Sequence, residues 1–96
     1  MPLAAEVTDQ AASAVGITVR YFAAARAAAG SDSEQLTVRS GATVAELVDG
    51  LGGRSRELAR VLVRCSFLCD GVAVRDQAQP LQAGNTIDVL PPFAGG

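Results

Sequence analysis

The sequence predicts an α+β fold, in which a mixed sheet carries helices packed on one of its faces. Segments with the alternating, β-branched pattern of strands are interleaved with segments that have helical apolar spacing. No internal repeat or low-complexity linker interrupts residues 15–90, and 96 residues suffice for one small domain. We therefore expect one domain at residues 15–90, a flexible extension at 1–14 and an extended tail at 91–96.

The first predicted strand covers residues 15–22, where apolar and polar side chains alternate. Its odd-numbered residues from Ile17 to Tyr21 would share one face, and Phe22 would lie on the other. A run of alanines follows directly and stops at Gly30, which is typical of a short helix and its C-terminal end.

A second strand is predicted to end near Arg39, and the spacing leaves open whether it pairs directly with the first. The next helix is the best marked, because Thr43 can cap it while Glu46, three residues on, completes the capping box. Its apolar stripe consists of Val44, Leu47, Val48 and Leu51. We interpret this stripe as core rather than as a cofactor site. The pair Gly52-Gly53 ends the helix.

The second half of the chain predicts one more helix and three short strands. Residues 54–63 can form a helix with Leu58, Val61 and Leu62 turned inward. Two extended pieces then flank Asp70-Gly71, a dipeptide that favours the positive backbone angles of a hairpin turn.

The last predicted strand, Thr86–Leu90, leads into the tail. Ile87 and Val89 would face one side of the sheet, and Asp88 and Leu90 the other.

Composition excludes several classes of function. The formal net charge is −2, and no run of like charges makes a patch for nucleic acid or an anionic membrane, so neither partner is expected. All eight basic residues are arginine, so the chain lacks an imidazole for acid–base catalysis and a side-chain amine for Schiff-base or isopeptide chemistry. Neither a signal peptide nor a membrane-spanning stretch is recognisable, and we expect a cytoplasmic protein.

The two cysteines, Cys65 and Cys69, cannot by themselves form a four-ligand zinc site, so we expect no metal site. In one strand they would share a face at positions i and i+4, too far apart for an unstrained disulfide. We expect two buried thiols that pack as small apolar side chains, with a redox role as the minor alternative.

The tail, PPFAGG at residues 91–96, carries the chemistry that the side chains lack. Pro91 and Pro92 cannot extend a sheet, so the tail should project from the last strand. Gly95 and Gly96 have no side chains, so a narrow slot of another protein could close around their backbone. The Gly96 carboxylate is a poor electrophile, but joining it to AMP would let a sulfur or nitrogen nucleophile take the acyl group.

Three segments carry a resemblance to a known family: VRYFAAARAAAG, GATVAELVDGL and PLQAGNTIDVLPPFAGG. In this order and at these separations they resemble the ubiquitin-like sulfur carriers, most closely the small subunit of molybdopterin synthase, over residues 15–96. The resemblance implies a β-grasp fold, in which the first and last strands are parallel and adjacent.

The resemblance also implies a reaction cycle whose catalytic side chains belong to partners. An E1-like activating enzyme would adenylate the Gly96 carboxylate with ATP and magnesium, and a sulfur donor system would convert it to a thiocarboxylate. The large synthase subunit would bind the pyranopterin precursor and receive Gly95 and Gly96 in its active site, within a heterotetramer. No cofactor is expected on this chain itself.

Six residues are predicted to contact the partner: Phe22, Arg26, Leu90, Pro91, Pro92 and Phe93. Phe22 and Leu90 would be exposed neighbours that form a small apolar patch, with Phe93 as a further contact on the tail. The alternative is that single exposed apolar residues are ordinary. Arg26 matches an arginine that recurs in the family and could pair with an acidic group of the partner, but the pattern favours a solvated helix arginine.

Two positions depart from the family pattern. Asn85 stands in a turn where the family usually has Asp, and Asp70 stands where many small synthase subunits have Asn. Three alternatives stay open: a carrier for thiamine thiazole or cysteine synthesis, a protein modifier conjugated through Gly96, and an interaction domain with an inert tail.

Overall fold

The computed structural model describes residues 13–92. Within them the chain forms five strands and three helices in one folded unit. Their bounds are β1 Ala14–Tyr21, α1 Ala23–Ala29, β2 Ser33–Arg39, α2 Val44–Gly52, α3 Arg56–Leu62, β3 Ser66–Cys69, β4 Val72–Ala73 and β5 Thr86–Leu90. Most of the predicted extension and residues 93–96 of the predicted tail lie outside the described residues.

The strands form one mixed sheet in the order β2-β1-β5-β3-β4. The first and last strands, β1 and β5, run parallel and adjacent at its centre, while the other neighbouring pairs are antiparallel. The predicted mixed sheet is therefore confirmed. The pairing that the sequence left open is also settled, because β2 hydrogen-bonds directly to β1.

The core lies between this sheet and the helices. The predicted inward residues of β1 and β5 are all buried, and α3 packs against both α1 and α2. The buried core cluster contains Ile17, Val19, Tyr21, Ala25, Val44, Leu47, Leu51, Leu58, Leu62, Phe67, Leu81, Ile87 and Val89. The assignment of the α2 stripe to the core is confirmed, although Val48 is only half-buried.

Local sequence signals determine the ends of the elements. The capping box of α2 is present: the Glu46 N–H donates to Thr43 Oγ1 at 3.2 Å, and the Thr43 N–H donates to Glu46 Oε1 at 3.3 Å. Gly30 ends α1 in the left-handed region at φ +82°. The predicted hairpin turn also has positive φ at both central residues, +51° at Asp70 and +83° at Gly71.

The cysteines differ from the prediction in two respects. Cys65 precedes β3, so only Cys69 belongs to the strand, and both side chains are half-buried rather than fully buried. Both pack against the core as free thiols, and Cys65 Sγ donates to the Val61 carbonyl at 3.2 Å. Burial raises the pKa of both thiols, and the charge of Asp70 raises that of Cys69 further. Their environment therefore favours the neutral thiol.

Among residues 13–92, none of the helices is both long enough and apolar enough to cross a bilayer.

Candidate functional site

The predicted contact residues that the structure describes lie around the end of the sheet where β5 ends. Because β1 and β5 are parallel, their C-terminal ends meet at this edge, and the Phe22 N–H donates to the Val89 carbonyl at 3.3 Å. Phe22 and Leu90 each follow one member of the register pair Tyr21–Val89. The parallel pairing thus brings the two residues to adjacent positions, as expected.

The exposure of these two residues differs. Phe22 is 39% exposed, whereas Leu90 is half-buried, so the expectation that both are exposed holds for Phe22 only. The reason is their place in the sheet. Leu90 belongs to an interior strand with β1 on one side and β3, where it pairs with Ser66, on the other. Phe22 lies just beyond the end of β1, at the position that caps α1.

A charged pair supports Phe22 on the face of the sheet opposite to the core. Arg20 and Asp88 are register partners on β1 and β5, and their side chains form a two-pronged contact, Nε to Oδ1 at 2.6 Å and Nη2 to Oδ2 at 2.8 Å. The Asp88 carboxylate raises the pKa of the Arg20 guanidinium through these hydrogen bonds and its charge. Arg20 Cζ in turn lies 5.7 Å from the centroid of the Phe22 ring, a cation–π distance.

Sequence reasoning did not single out either member of this pair. Asp88 is 5% exposed, the only buried charged residue among residues 13–92, and Arg20 both neutralises it and contacts the Phe22 ring. The alternation of β1 and β5 places both on the outer face with Phe22 and Leu90. Their pairing, however, depends on the register of two strands that are 68 positions apart.

Arg26 lies in the middle of α1, one turn after Phe22, and both residues line one surface depression. Its Nη1 is 3.4 Å from Asp32 Oδ1, and both side chains are mostly exposed. This is a weak, solvated ion pair of the kind that contributes little to stability. The Arg26 guanidinium therefore stays accessible to a partner.

The two prolines begin the tail beside a groove on the helical side of the sheet. Pro91 is half-buried and Pro92 is exposed, and neither continues β5. The apolar residues that line the groove are Ala24, Val61, Pro91 and Pro92, and the charged ones are Glu57, Arg60 and Arg64. Sequence reasoning missed this groove, because it forms only where α1 and α3 pack together.

The remaining predicted site residues, Phe93, Gly95 and Gly96, lie outside the described residues. The structure thus describes the surface around Pro91 and Pro92 from which the tail begins, which we call the platform. This platform has an apolar outer side at Phe22 and Leu90 and a cationic groove at Arg60 and Arg64.

Comparison with known proteins gives a family match and a set of structural neighbours. Residues 19–96 match the ThiS family. A protein from Pyrococcus furiosus described as molybdopterin converting factor subunit 1 has a TM-score of 0.75 and 25% identity, covering 82% of this chain and 99% of that one. SAMP1 from Haloferax volcanii has a TM-score of 0.73 and 27% identity, covering 84% of this chain and 99% of that one.

A third neighbour has been solved with a partner. It comes from the complex of subunits 1 and 2 of the molybdopterin-converting factor from Helicobacter pylori, with a TM-score of 0.62, 23% identity and coverage of 85% of this chain and all of that one. No curated protein matches the chain. The structural neighbours confirm the predicted ubiquitin-like β-grasp fold.

Proposed function

Because the chain belongs to the ThiS family, we propose that it is a sulfur carrier and serves as the small subunit of molybdopterin synthase. In this proposal the reactive group is the C-terminal carboxylate of Gly96. The folded domain presents the tail to partner proteins, which supply the catalytic side chains.

The observation that carries this proposal is the position of the tail. Residues 93–96 follow Pro91 and Pro92 at the end of β5, a central strand whose side chains Ile87 and Val89 are fully buried. The tail therefore begins from a rigid point, and the family match continues through it to Gly96. Among residues 13–92, by contrast, no cluster of three or more His, Cys, Asp and Glu residues offers a metal site.

The proposed chemistry runs in three steps. A carboxylate oxygen of Gly96 attacks the α-phosphorus of ATP in an activating enzyme, and pyrophosphate leaves. The terminal sulfur of a persulfide on a donor protein then attacks the acyl carbon, and AMP leaves. A second thiol attacks the donor's own sulfur in the resulting acyl disulfide, which frees the thiocarboxylate and leaves a disulfide on the donor. On the large subunit the thiocarboxylate sulfur attacks a carbon of the pyranopterin precursor and displaces an oxygen substituent of that carbon. Water then cleaves the bond between the acyl carbon of Gly96 and the sulfur, which restores the carboxylate and leaves the sulfur on the pterin.

The proposed principal partner is the large subunit of the synthase. The neighbour from Helicobacter pylori was solved as a complex of two converting-factor subunits, which supports a partner of this kind. We place the contact at Phe22, Leu90 and the two prolines. The proposed assembly is a heterotetramer with two copies of this chain on a large-subunit dimer.

A second candidate function is protein modification, which the likeness to SAMP1, a small archaeal modifier protein, favours. A modifier would undergo the same adenylation, but its acyl group would pass to an amine of a target protein. Since this chain has no lysine, it could be attached to targets singly but could not form lysine-linked chains. Sulfur delivery to thiamine thiazole or to cysteine is the third candidate.

Intact-mass spectrometry tests the proposal. The chain is incubated with ATP, magnesium, an E1-like activating enzyme and a sulfur donor. We expect a mass increase that corresponds to the exchange of one oxygen for sulfur, and consumption of the product when large subunit and pterin precursor are added. A modifier would instead appear as an amide-linked adduct on a second protein. No mass change with an activating enzyme that sulfurates another carrier would contradict every carrier function.

A further inference from the structure

We propose that the groove beside the tail is a second docking surface, which binds an acidic segment of the protein that receives Gly95 and Gly96. The inference rests on the proposed function, since it requires that a partner encloses the end of the tail. It concerns Arg60 and Arg64, which lie on the helical side, away from the Phe22 and Leu90 patch.

The length of the tail brings any such partner to the groove. From Pro92 to Gly95 the chain can extend by about 10 Å, at about 3.3 Å for each residue. A slot that closes around Gly95 and Gly96 must therefore have its mouth within about 10 Å of Pro92. Pro92 lines the groove together with Arg60 and Arg64, so the rim of the slot lies against or over these side chains.

The charges of the groove indicate what that rim must contain. Neither Arg60 nor Arg64 forms an ion pair with any residue in the range 13–92, although Glu57 lines the same groove. Covering an unpaired guanidinium by a partner removes its water and is unfavourable unless an anion replaces that water. A partner with carboxylates at these positions gains charge-assisted hydrogen bonds, whereas one without them is disfavoured.

The apolar lining of the groove fits the same occupant. Val61 is half-buried, and Ala24, Pro91 and Pro92 give the groove further apolar surface. A segment with apolar side chains flanked by Asp or Glu would fill the groove and neutralise both arginines. The chain as a whole has a net charge of −2, so its overall charge does not attract an acidic segment and the attraction must come from local cations such as Arg60 and Arg64.

The test compares two charge-matched double variants in binding to the large subunit of molybdopterin synthase. Arg60→Gln with Arg64→Gln lowers the net charge by two at the groove. Thr37→Glu with Gln82→Glu lowers it equally at the opposite end of the sheet, on exposed residues. At low salt we expect the first variant to bind about 5- to 20-fold more weakly, and the control to stay within about twofold of the wild type. At about 0.5 M salt the difference should shrink, because the charges are screened.

The outcomes separate this inference from the function on which it rests. If the wild type binds and the arginine variant binds equally well, the docking surface is refuted while the carrier function stands. If the control weakens binding as much, the effect is one of overall charge and the surface is again refuted. If the wild type neither binds the large subunit nor gains sulfur in the mass assay, the proposed function fails and the inference fails with it. Unfolding curves verify that both variants fold, as expected because neither arginine side chain forms an ion pair within residues 13–92.

Discussion

At the scale of single residues, the two departures from the family pattern lie in contact with each other. Asn85 Nδ2 donates to Asp70 Oδ2 at 2.7 Å, and Asn85 Oδ1 accepts from the Gln82 N–H at 2.7 Å. The other oxygen of Asp70 accepts from the Thr86 N–H at 2.8 Å. One position thus has the carboxylate and the other the amide, the reverse of the family pattern. The carboxylate of Asp70 and the amide of Asn85 therefore satisfy each other's hydrogen bonding.

This contact predicts how substitutions at the two positions combine. Asn85→Asp would set two carboxylates against each other, and we expect it to lower the free energy of unfolding by about 1–2 kcal/mol. Asp70→Asn removes one hydrogen bond without adding repulsion, so its effect should be smaller. Combining the two restores every donor and acceptor, and the double variant should come within about 0.5 kcal/mol of the wild type. Urea unfolding of the four proteins gives the coupling energy, and additive effects would contradict the contact.

The proposed partner patch is also tested at single residues. We expect Phe22→Ala to weaken binding of the large subunit by about 1–2 kcal/mol, and Leu90→Ala by less, since Leu90 is half-buried. Val72→Ala is the matched control, because Val72 is an apolar side chain that is 69% exposed on β4. Titration calorimetry measures the three affinities. Unchanged affinity for both patch variants would leave Phe22 as an ordinary exposed side chain.

At the scale of elements, the sequence predicted strands and helices well but not the contacts between them. The alternation in β1 and β5, the capping box of α2 and the Asp70-Gly71 turn each depend on neighbouring residues, and all are confirmed. The pairing of β1 with β2, the Arg20–Asp88 contact and the groove beside Pro92 depend on residues that are distant in the sequence. The periodicity of a sequence indicates on which face of its strand or helix a side chain lies. It does not indicate which residue of another element that side chain contacts.

A hydrogen-bonded chain of three side chains joins elements that local patterns do not connect. The Tyr21 hydroxyl of β1 donates to Glu34 Oε2 of β2 at 2.6 Å, and the same oxygen accepts from Arg54 Nη1, between α2 and α3, at 2.5 Å. Arg54 and Tyr21 together hold the pKa of Glu34 below its ordinary value, while burial and Glu34 raise that of Tyr21. The Glu34 carboxylate thus links the sheet to the helical layer through an ion pair with Arg54 and a hydrogen bond from Tyr21.

The link predicts a dependence of stability on pH. Since the pKa of Glu34 is lower in the folded than in the unfolded state, its contribution is complete above about pH 4.5 and is lost as the pH falls through the folded value. We expect the free energy of unfolding to be flat from pH 7 to 5 and to decrease below that. Glu46, whose pKa is lowered by Arg39 and the Thr43 N–H, adds to the decrease.

Variants identify the source of this acid dependence. Tyr21→Phe should lower the free energy of unfolding by about 1 kcal/mol at pH 7, because Glu34 loses one of its two hydrogen-bond donors. For the same reason the decrease of the free energy of unfolding below pH 5 should be less steep than in the wild type. Arg26→Gln is the control, since its pair with Asp32 is long and exposed and should leave the profile unchanged. Urea unfolding at a series of pH values gives both profiles. If the free energy of unfolding decreases equally steeply below pH 5 in Tyr21→Phe and in the wild type, Glu34 is not the source of the acid dependence.

At the scale of the whole molecule, stability and chemistry are assigned to different parts of the chain. The buried core cluster extends from Ile17 to Val89, whereas the proposed reactive group is at Gly96. The sequence could single out the tail as the proposed reactive segment because PPFAGG is a contiguous motif. The groove proposed as a docking surface could not be predicted, because α1, α3 and the end of β5 contribute to it together.

This division predicts the effect of shortening the chain at either end. Removing Gly95 and Gly96 should leave the free energy of unfolding within about 0.5 kcal/mol of the wild type, because the core is complete without them. The same change should abolish formation of the thiocarboxylate. The terminal carboxylate then belongs to Ala94, and the tail, two residues shorter, no longer brings it to the nucleotide in the activating enzyme. Removing residues 2–12 is the matched control and should preserve both stability and sulfuration. Intact-mass spectrometry and urea unfolding are applied to the three proteins. Sulfuration that survives the loss of both glycines would refute Gly96 as the reactive residue. A large loss of stability in the same variant would refute the separation of fold from chemistry.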